Sequence, residues 1–238
     1  MRRLLAAAIG RSYSHPHVGA VAPVDVVFDN KAWVINYCRG KRVIHLGCAG
    51  APDTQAEWEA DTHLHKLLKP ATAELWGVDV DARSIEWMTS QGADSLFEAN
   101  VEEPMHRLFD INADIILAPE LYEHLSNPGL FLEAIKPLIG HRTELLLTTP
   151  NAHTFSQLAH LLAGREGMNP DHVQWPSPRA LASMLTRHGY ELTGQWGYSH
   201  VDWRSFSLRR PVIWRRVLYA INPTGFADGI IVTARLAR

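Results

Sequence analysis

The sequence predicts an α/β protein built on a doubly wound, largely parallel sheet. Three observations predict it. Apolar runs at 43–46, 115–118 and 144–149 have the length and flanking residues of buried strands. Stretches with helical spacing of apolar residues separate them. The first run leads into a glycine-bearing turn, Gly47-Cys48-Ala49-Gly50. A strand, such a turn and a helix make a nucleotide-type loop, where close backbone approach and a helix N-terminus do the binding.

Taken in order, residues 1–40 read as an N-terminal helical and loop extension. The segment 1–11, MRRLLAAAIGR, has an apolar core at 4–9, shorter than the ~7–15 residues of a signal peptide. It is expected to form a short amphipathic helix packed on the body or over the site; a transit peptide is the alternative. Residues 12–30 read as loop with room for a short strand. A helix over 31–39 stops at Gly40. The strand at 41–46 is followed by a helix over 54–69 that ends at Pro70. Its His63 and His65 are two apart, do not share a face, and read as separate surface or packing residues. A second strand, 73–78, ends at Asp79-Val80-Asp81. Asp79, at the strand tip, suits hydrogen bonds from ribose hydroxyls, with a capping role as the alternative. Asp81 is placed to cap a helix over 82–90. A third strand is expected over 93–99.

The stretch 113–128, ADIILAPELYEHLSNP, organises the rest. Its strand, 115–118, is followed by a predicted helix over 121–138, broken into two pieces at Asn127-Pro128-Gly129, the second being 130–137. At the start of that helix Glu120, Glu123 and His124 stand at i, i+3 and i+4, on one face. Two carboxylates and an imidazole would then converge beyond the carboxyl end of a central strand, where open α/β sheets bind ligands. The donor types suit a divalent metal or proton transfer. Taken alone, the spacing is also that of a solvated helix face. A fifth strand at 144–149, a helix over 152–163, a loop over 164–176 and a helix from Ser177-Pro178 to Gly189 follow. Strands at 190–196 and 226–236 close the chain. Between them, 200–222 is an insert rich in arginine, tryptophan and phenylalanine. It suits an anion, a base or a sugar ring, or arginines lying over packed tryptophans.

Composition excludes several classes. Hydrophobic residues make up 46% of the 238-residue chain, enough for a core. A formal net charge of −2 argues against broad nucleic-acid binding. No apolar run approaches the ~20 residues that span a bilayer. Cys38 and Cys48 make no disulfide framework and fit a reducing compartment. The expectation is a single cytoplasmic domain over 1–238, with a homodimer allowed. The dinucleotide fingerprint GxGxxG fails, because Ala49 and Pro52 stand at its second and third glycines.

The motifs VIHLGCAG, WGVDVDARSI, FEANVEEP, ADIILAPELYEHLSNPGLFLEAI and ELLLTTPN, in this order and spacing, resemble those of class I S-adenosylmethionine-dependent methyltransferases. The resemblance covers roughly 42–190 and the final strand. It implies a Rossmann-like sheet of seven strands, the last antiparallel, and S-adenosylmethionine as cofactor. Gly47, Cys48 and Ala49 would line the methionine portion. Asp79 and Val80 would meet ribose and adenine, Asn100 and Val101 would border the adenine, and Pro119 would lie near the sulfonium. The chain departs from the family at His45, usually acidic, and at Ala49 and Ala51, usually glycines.

Glu120-x-x-Glu123-His124 with His172 in a DHVQW loop is similar to two metal-dependent groups. These are the ubiquinone-pathway O-methyltransferases and the small-RNA 3′-end 2′-O-methyltransferases, in which such residues hold a divalent ion. By that resemblance Glu120, Glu123, His124 and His172 are metal ligands, with Mg²⁺ the first choice and Mn²⁺ or Zn²⁺ compatible. Glu123 and His172 would thereby serve catalysis. His153, just after the fifth strand, is the candidate base, with a plain helix-start role as its alternative. The expected activity is methyl transfer to a hydroxyl of a small molecule or short saccharide. The alternatives are an RNA 2′-O-methyltransferase, a metal-free enzyme of the same fold, and a binding protein without activity.

Overall fold

The structure, a computed structural model, describes residues 25–105, 111–199, 217, 222 and 226–237. Segment 1–24 and nearly all of the 200–222 insert lie outside the described residues, so the expectations placed on them are not addressed.

An eight-stranded sheet runs in the order β1-β7-β8-β6-β5-β2-β3-β4. Its strands are β1 (Val26–Val27), β2 (Arg42–Leu46), β3 (Glu74–Asp79), β4 (Leu96–Glu98), β5 (Ile115–Pro119), β6 (Glu144–Pro150), β7 (Tyr190–Tyr198) and β8 (Gly229–Leu236). All neighbours pair in parallel except β8, which is antiparallel to both β6 and β7. The expected seven strands are thus present with the last one reversed. The added strand is β1, which pairs Val26 with Gly197 at the sheet edge. Strand order reverses between β2 and β5, which pair directly. The carboxyl ends of these two strands therefore flank the crevice where doubly wound sheets take ligands.

Seven helices cover the sheet among the described residues: α1 (Asn30–Cys38), α2 (Thr54–Glu59), α3 (Leu64–Leu68), α4 (Ala82–Ser90), α5 (Pro128–Ala134), α6 (Phe155–Leu162) and α7 (Pro178–Arg187). Period-two alternation splits the strands between two apolar layers. Ile44, Leu46, Ile116, Ala118, Leu145, Leu147, Ile230 and Val232 pack on one side with Phe131, Leu132 and Leu185. Val43, Ile115, Leu117, Leu146 and Ile231 pack on the other with Val34, Cys38 and Leu68. Each such fully buried aliphatic side chain contributes about 1.5–3 kcal/mol. Burial on both faces explains why the strand runs read as continuously apolar.

The structure corrects several boundaries. The helix expected over 54–69 is two short helices. Asp61, at φ 58°, is in the left-handed region and breaks it, which puts His63 at the start of α3. The strand expected over 93–99 is only Leu96–Glu98. The final strand begins at Gly229, and the helix expected over 152–163 is Phe155–Leu162. Asn127-Pro128-Gly129 starts a helix instead of interrupting one. Asn127 Oδ1 accepts from Leu130 N at 3.1 Å, and Pro128 occupies the first turn. The caps of Asp29 on α1 and Asp81 on α4 follow the same chemistry.

Gly229 is required by packing. A Cβ there would overlap the ring of Tyr198, its β7 neighbour. Gly229→Ala is expected to lower unfolding free energy by about 1–3 kcal/mol, the usual cost of overpacking. A urea titration checks it; an unchanged midpoint would mean that Tyr198 moves aside freely.

Candidate active site

The crevice side begins at β2. Gly47, at φ 70°, turns the chain where a side chain would be strained. Its N–H donates to the Val78 carbonyl at 2.8 Å, and the Cys48 N–H donates to the same carbonyl at 3.1 Å. Ala49 N donates to Asp79 Oδ2 at 2.8 Å, and Asp79 Oδ1 accepts from Asp81 N at 3.0 Å. Asp79 therefore ties the loop after β2 to the tip of β3. Each of its oxygens keeps a lone pair, so the expected ribose contact stays open to it. Cys48 and Ala49 are buried, and burial pushes the Cys48 thiol up. Val80 is 70% exposed at the neighbouring strand tip. Asn100 caps its own turn, Oδ1 accepting from Glu102 N at 3.0 Å, while Val101 is buried beneath it. Pro119 ends β5, opposite Thr148. The residues assigned to cofactor thus stand on the carboxyl tips of β2, β3 and β5 and just beyond β4.

The acidic and imidazole residues stand at the next tips. Glu120, Glu123 and His124 are not on an α-helix. Glu120, at φ 47°, is in the left-handed region, and a single 3₁₀ turn spans Tyr122–His124. The chain kinks because Glu120 N donates to both the carbonyl (2.9 Å) and Oγ1 (3.1 Å) of Thr148 on β6. Its carboxylate is held by two hydroxyls. Thr148 Oγ1 donates to Oε1 at 2.5 Å and Tyr198 OH to Oε2 at 2.8 Å. Glu123 is buried, and its carboxylate accepts from Thr149 Oγ1 at 3.0 Å. Desolvation, and then the charge of Glu120, push the Glu123 carboxyl well above the usual range.

The 164–176 loop brings in His172. Val173 N and Gln174 N donate to the Glu123 carbonyl at 2.8 and 3.2 Å, and Gln174 Nε2 donates to the Leu125 carbonyl at 2.8 Å. Glu123, His124 and His172 then offer donor atoms that all lie within 4.8 Å of one another. The rings of His124 and His172 meet edge to face, centroids 4.8 Å apart. His124 Nδ1 lies 3.1 Å from the Asp171 carbonyl. A carbonyl only accepts, so Nδ1 carries the proton and Nε2 is left as a lone-pair donor. His172 Nδ1 is buried without a hydrogen-bond partner, and desolvation followed by the nearby His124 lowers the pKa of that imidazole. An imidazole with an unused buried nitrogen, a second imidazole and a buried carboxyl group are donor types that fit a divalent cation.

The expected four-residue set is therefore brought together in part. Glu120 lies beside Glu123, but Thr148 and Tyr198 orient its carboxylate, and it is not among the mutually close donors. His153 is exposed in the turn after β6, its N–H donating to Asn151 Oδ1 at 3.0 Å. It is not part of the cluster. Thr148, Thr149 and Tyr198 were not legible as site residues. The two threonines follow from the TTP end of the fifth strand once its register against β5 is known, whereas Tyr198 carries no local signal.

A sequence profile described as a methyltransferase domain matches residues 36–195. The chain belongs to the methyltransferase domain family. The match spans the crevice loop, the β3 tip, the Glu123 turn and the His172 loop, and S-adenosylmethionine is the methyl donor this membership supports. No curated protein matches the chain significantly. Solved structures share the methyltransferase's fold at low identity. YcgJ from Bacillus subtilis is 16% identical, with a TM-score of 0.52 over 87% of this chain and 97% of that one. A SAM-dependent methyltransferase from Archaeoglobus fulgidus is 15% identical, with a TM-score of 0.51 over 98% and 94%. The small RNA methyltransferase HEN1 is 15% identical, with a TM-score of 0.56 over 92% of this chain and 27% of that one. No helix among the described residues is long and apolar enough to cross a membrane.

Proposed function

We propose that this methyltransferase moves a methyl group from S-adenosylmethionine to a hydroxyl of a small molecule or short saccharide, assisted by a divalent metal. One observation carries the reading. Glu123, His124 and His172 converge at the carboxyl edge that also carries the cofactor loop, with His172 Nδ1 buried and unused. Those three residues would hold the metal, Mg²⁺ first and Mn²⁺ or Zn²⁺ as alternatives, with the Glu120 carboxylate adding negative charge beside them. Such an ion lowers the pKa of a coordinated alcohol and fixes its oxygen in place. Thr149 orients Glu123, and the Asp171 carbonyl orients His124. His153, exposed on the same edge, is the base this reading assigns. Two adjacent hydroxyls would suit the site, because both can bind one ion.

The test is labelled-methyl transfer to fractionated metabolites and oligosaccharides, with and without chelator. The expected result is transfer that chelator abolishes and added Mg²⁺ or Mn²⁺ restores. Transfer that ignores chelator would leave a metal-free enzyme. The likeness to HEN1 over 92% of the chain favours a second reading, methylation of an RNA 2′-hydroxyl. The net charge of −2 weighs against it. Binding of single-stranded RNA that weakens steeply with salt would support that second reading.

A further inference from the structure

His63 is buried, exposing 2% of its surface, and belongs to neither of the sites above. It stands at the start of α3, with its ring against Trp58, centroids 5.2 Å apart. Its Nε2 lies 2.8 Å from the Ala49 carbonyl. That oxygen only accepts, so Nε2 carries the proton. The other nitrogen, Nδ1, is buried with no hydrogen-bond partner. Ala49 is thus held at both backbone groups by side chains. Asp79 takes its N–H and His63 takes its carbonyl.

The consequence reaches Gly50. In a trans peptide the carbonyl and the following N–H point in opposite directions. Holding the Ala49 carbonyl toward α3 turns the Gly50 N–H away from α3. That N–H makes no hydrogen bond to the described residues, whereas Gly47, Cys48 and Ala49 spend theirs on Val78 and Asp79. A free backbone N–H in a glycine turn is a donor for an anionic group. Gly50 itself, at φ 65°, tolerates this geometry without strain.

We infer that His63 is a positioning residue for the cofactor. By fixing the Ala49–Gly50 peptide it presents the loop to the carboxylate end of the bound methionine moiety. The assignment rests on the reading that residues 47–50 line S-adenosylmethionine.

The experiment is calorimetry of S-adenosylhomocysteine binding to the full chain, wild type against His63→Ala, His63→Asn and His63→Gln, with the thermal midpoint of each. A glutamine amide reaches about as far as Nε2, while an asparagine amide falls short. A loop peptide freed from its clamp must be reordered on binding, a cost of about 1 kcal/mol that corresponds to a roughly tenfold weaker Kd. The expected order is therefore wild type, then Gln within about threefold, then Asn and Ala weaker by about tenfold. If Ala does not fold, the contrast between Gln and Asn carries the test. Lowered midpoints with equal Kd in all folded variants would make His63 a packing residue and overturn the assignment. No binding by the wild type would instead overturn the cofactor reading beneath it.

Discussion

Replacing Glu123 by glutamine or His172 by alanine is expected to abolish Mn²⁺ binding and to leave S-adenosylhomocysteine binding within about twofold of the wild type. Removing the buried carboxyl group takes away the oxygen ligand among the three mutually close donors. Removing His172 takes away the nitrogen that has no other partner. Even altering a group that only supports a metal ligand typically costs about 10–100-fold in affinity or activity. Losing a ligand outright should cost at least about 100-fold. The cofactor loop is anchored separately, on Val78 and Asp79, so its ligand should not feel the change. Titration of Mn²⁺ by electron paramagnetic resonance, beside calorimetry of the cofactor product, checks this. Parallel loss of both ligands would mean that the turn at Glu123 supports the whole crevice and is not a separate metal site.

Acid is expected to destabilise the fold between pH 6.5 and 4. His45 on β2 and His65 on α3 are both buried, with their Nδ1 atoms 3.2 Å apart. One ring donates and the other accepts, so at least the accepting ring is neutral, and burial disfavours charge on either. Burial, and then the neighbouring His63, lower the pKa of His65 to about 4. Burial, and then His65, lower that of His45 well below 6.5. The unfolded chain therefore binds more protons in this window. Stability is complete above about pH 6.5 and is lost as pH falls toward the folded-state value. For His65, a drop from 6.5 to about 4 amounts to about 3 kcal/mol. Glu123 works in the opposite sense, since its raised pKa makes the folded state take up a proton first as pH falls. In the Glu123→Gln background the decline should therefore be steeper. Urea midpoints at pH 7 and pH 4 measure both slopes; a flat profile in the variant would contradict a neutral buried pair.

Much of the chemistry was local enough to read. Asp81 and Ser177 cap helices where a short polar side chain precedes a helical run. Gly47 and Gly50 turn the chain where they must. Glu123, His124 and His172 come together as their resemblance implied. The Glu120 geometry was misread because spacing assumes a helix. Here a 3₁₀ turn starts two residues later, after Thr148 has captured the Glu120 N–H. His63, before the first turn of α3, and His65 within it lie on different faces, as their spacing implied. They do point apart, one to the Ala49 carbonyl and one to His45, and each finds a partner on or just after β2.

By itself, the sequence determined the α/β class, the parallel strands, the caps and the chemical types available at each strand tip. These depend on residues a few positions apart, through apolar period, backbone preference and capping. Only the tertiary structure decided which tips face one another. Tyr198 reaches Glu120 across 78 positions of chain, and the Glu123 carbonyl holds the backbone before and after Val173. Such contacts are set by strand order and by the hydrogen-bonding needs of buried groups, which no local pattern encodes.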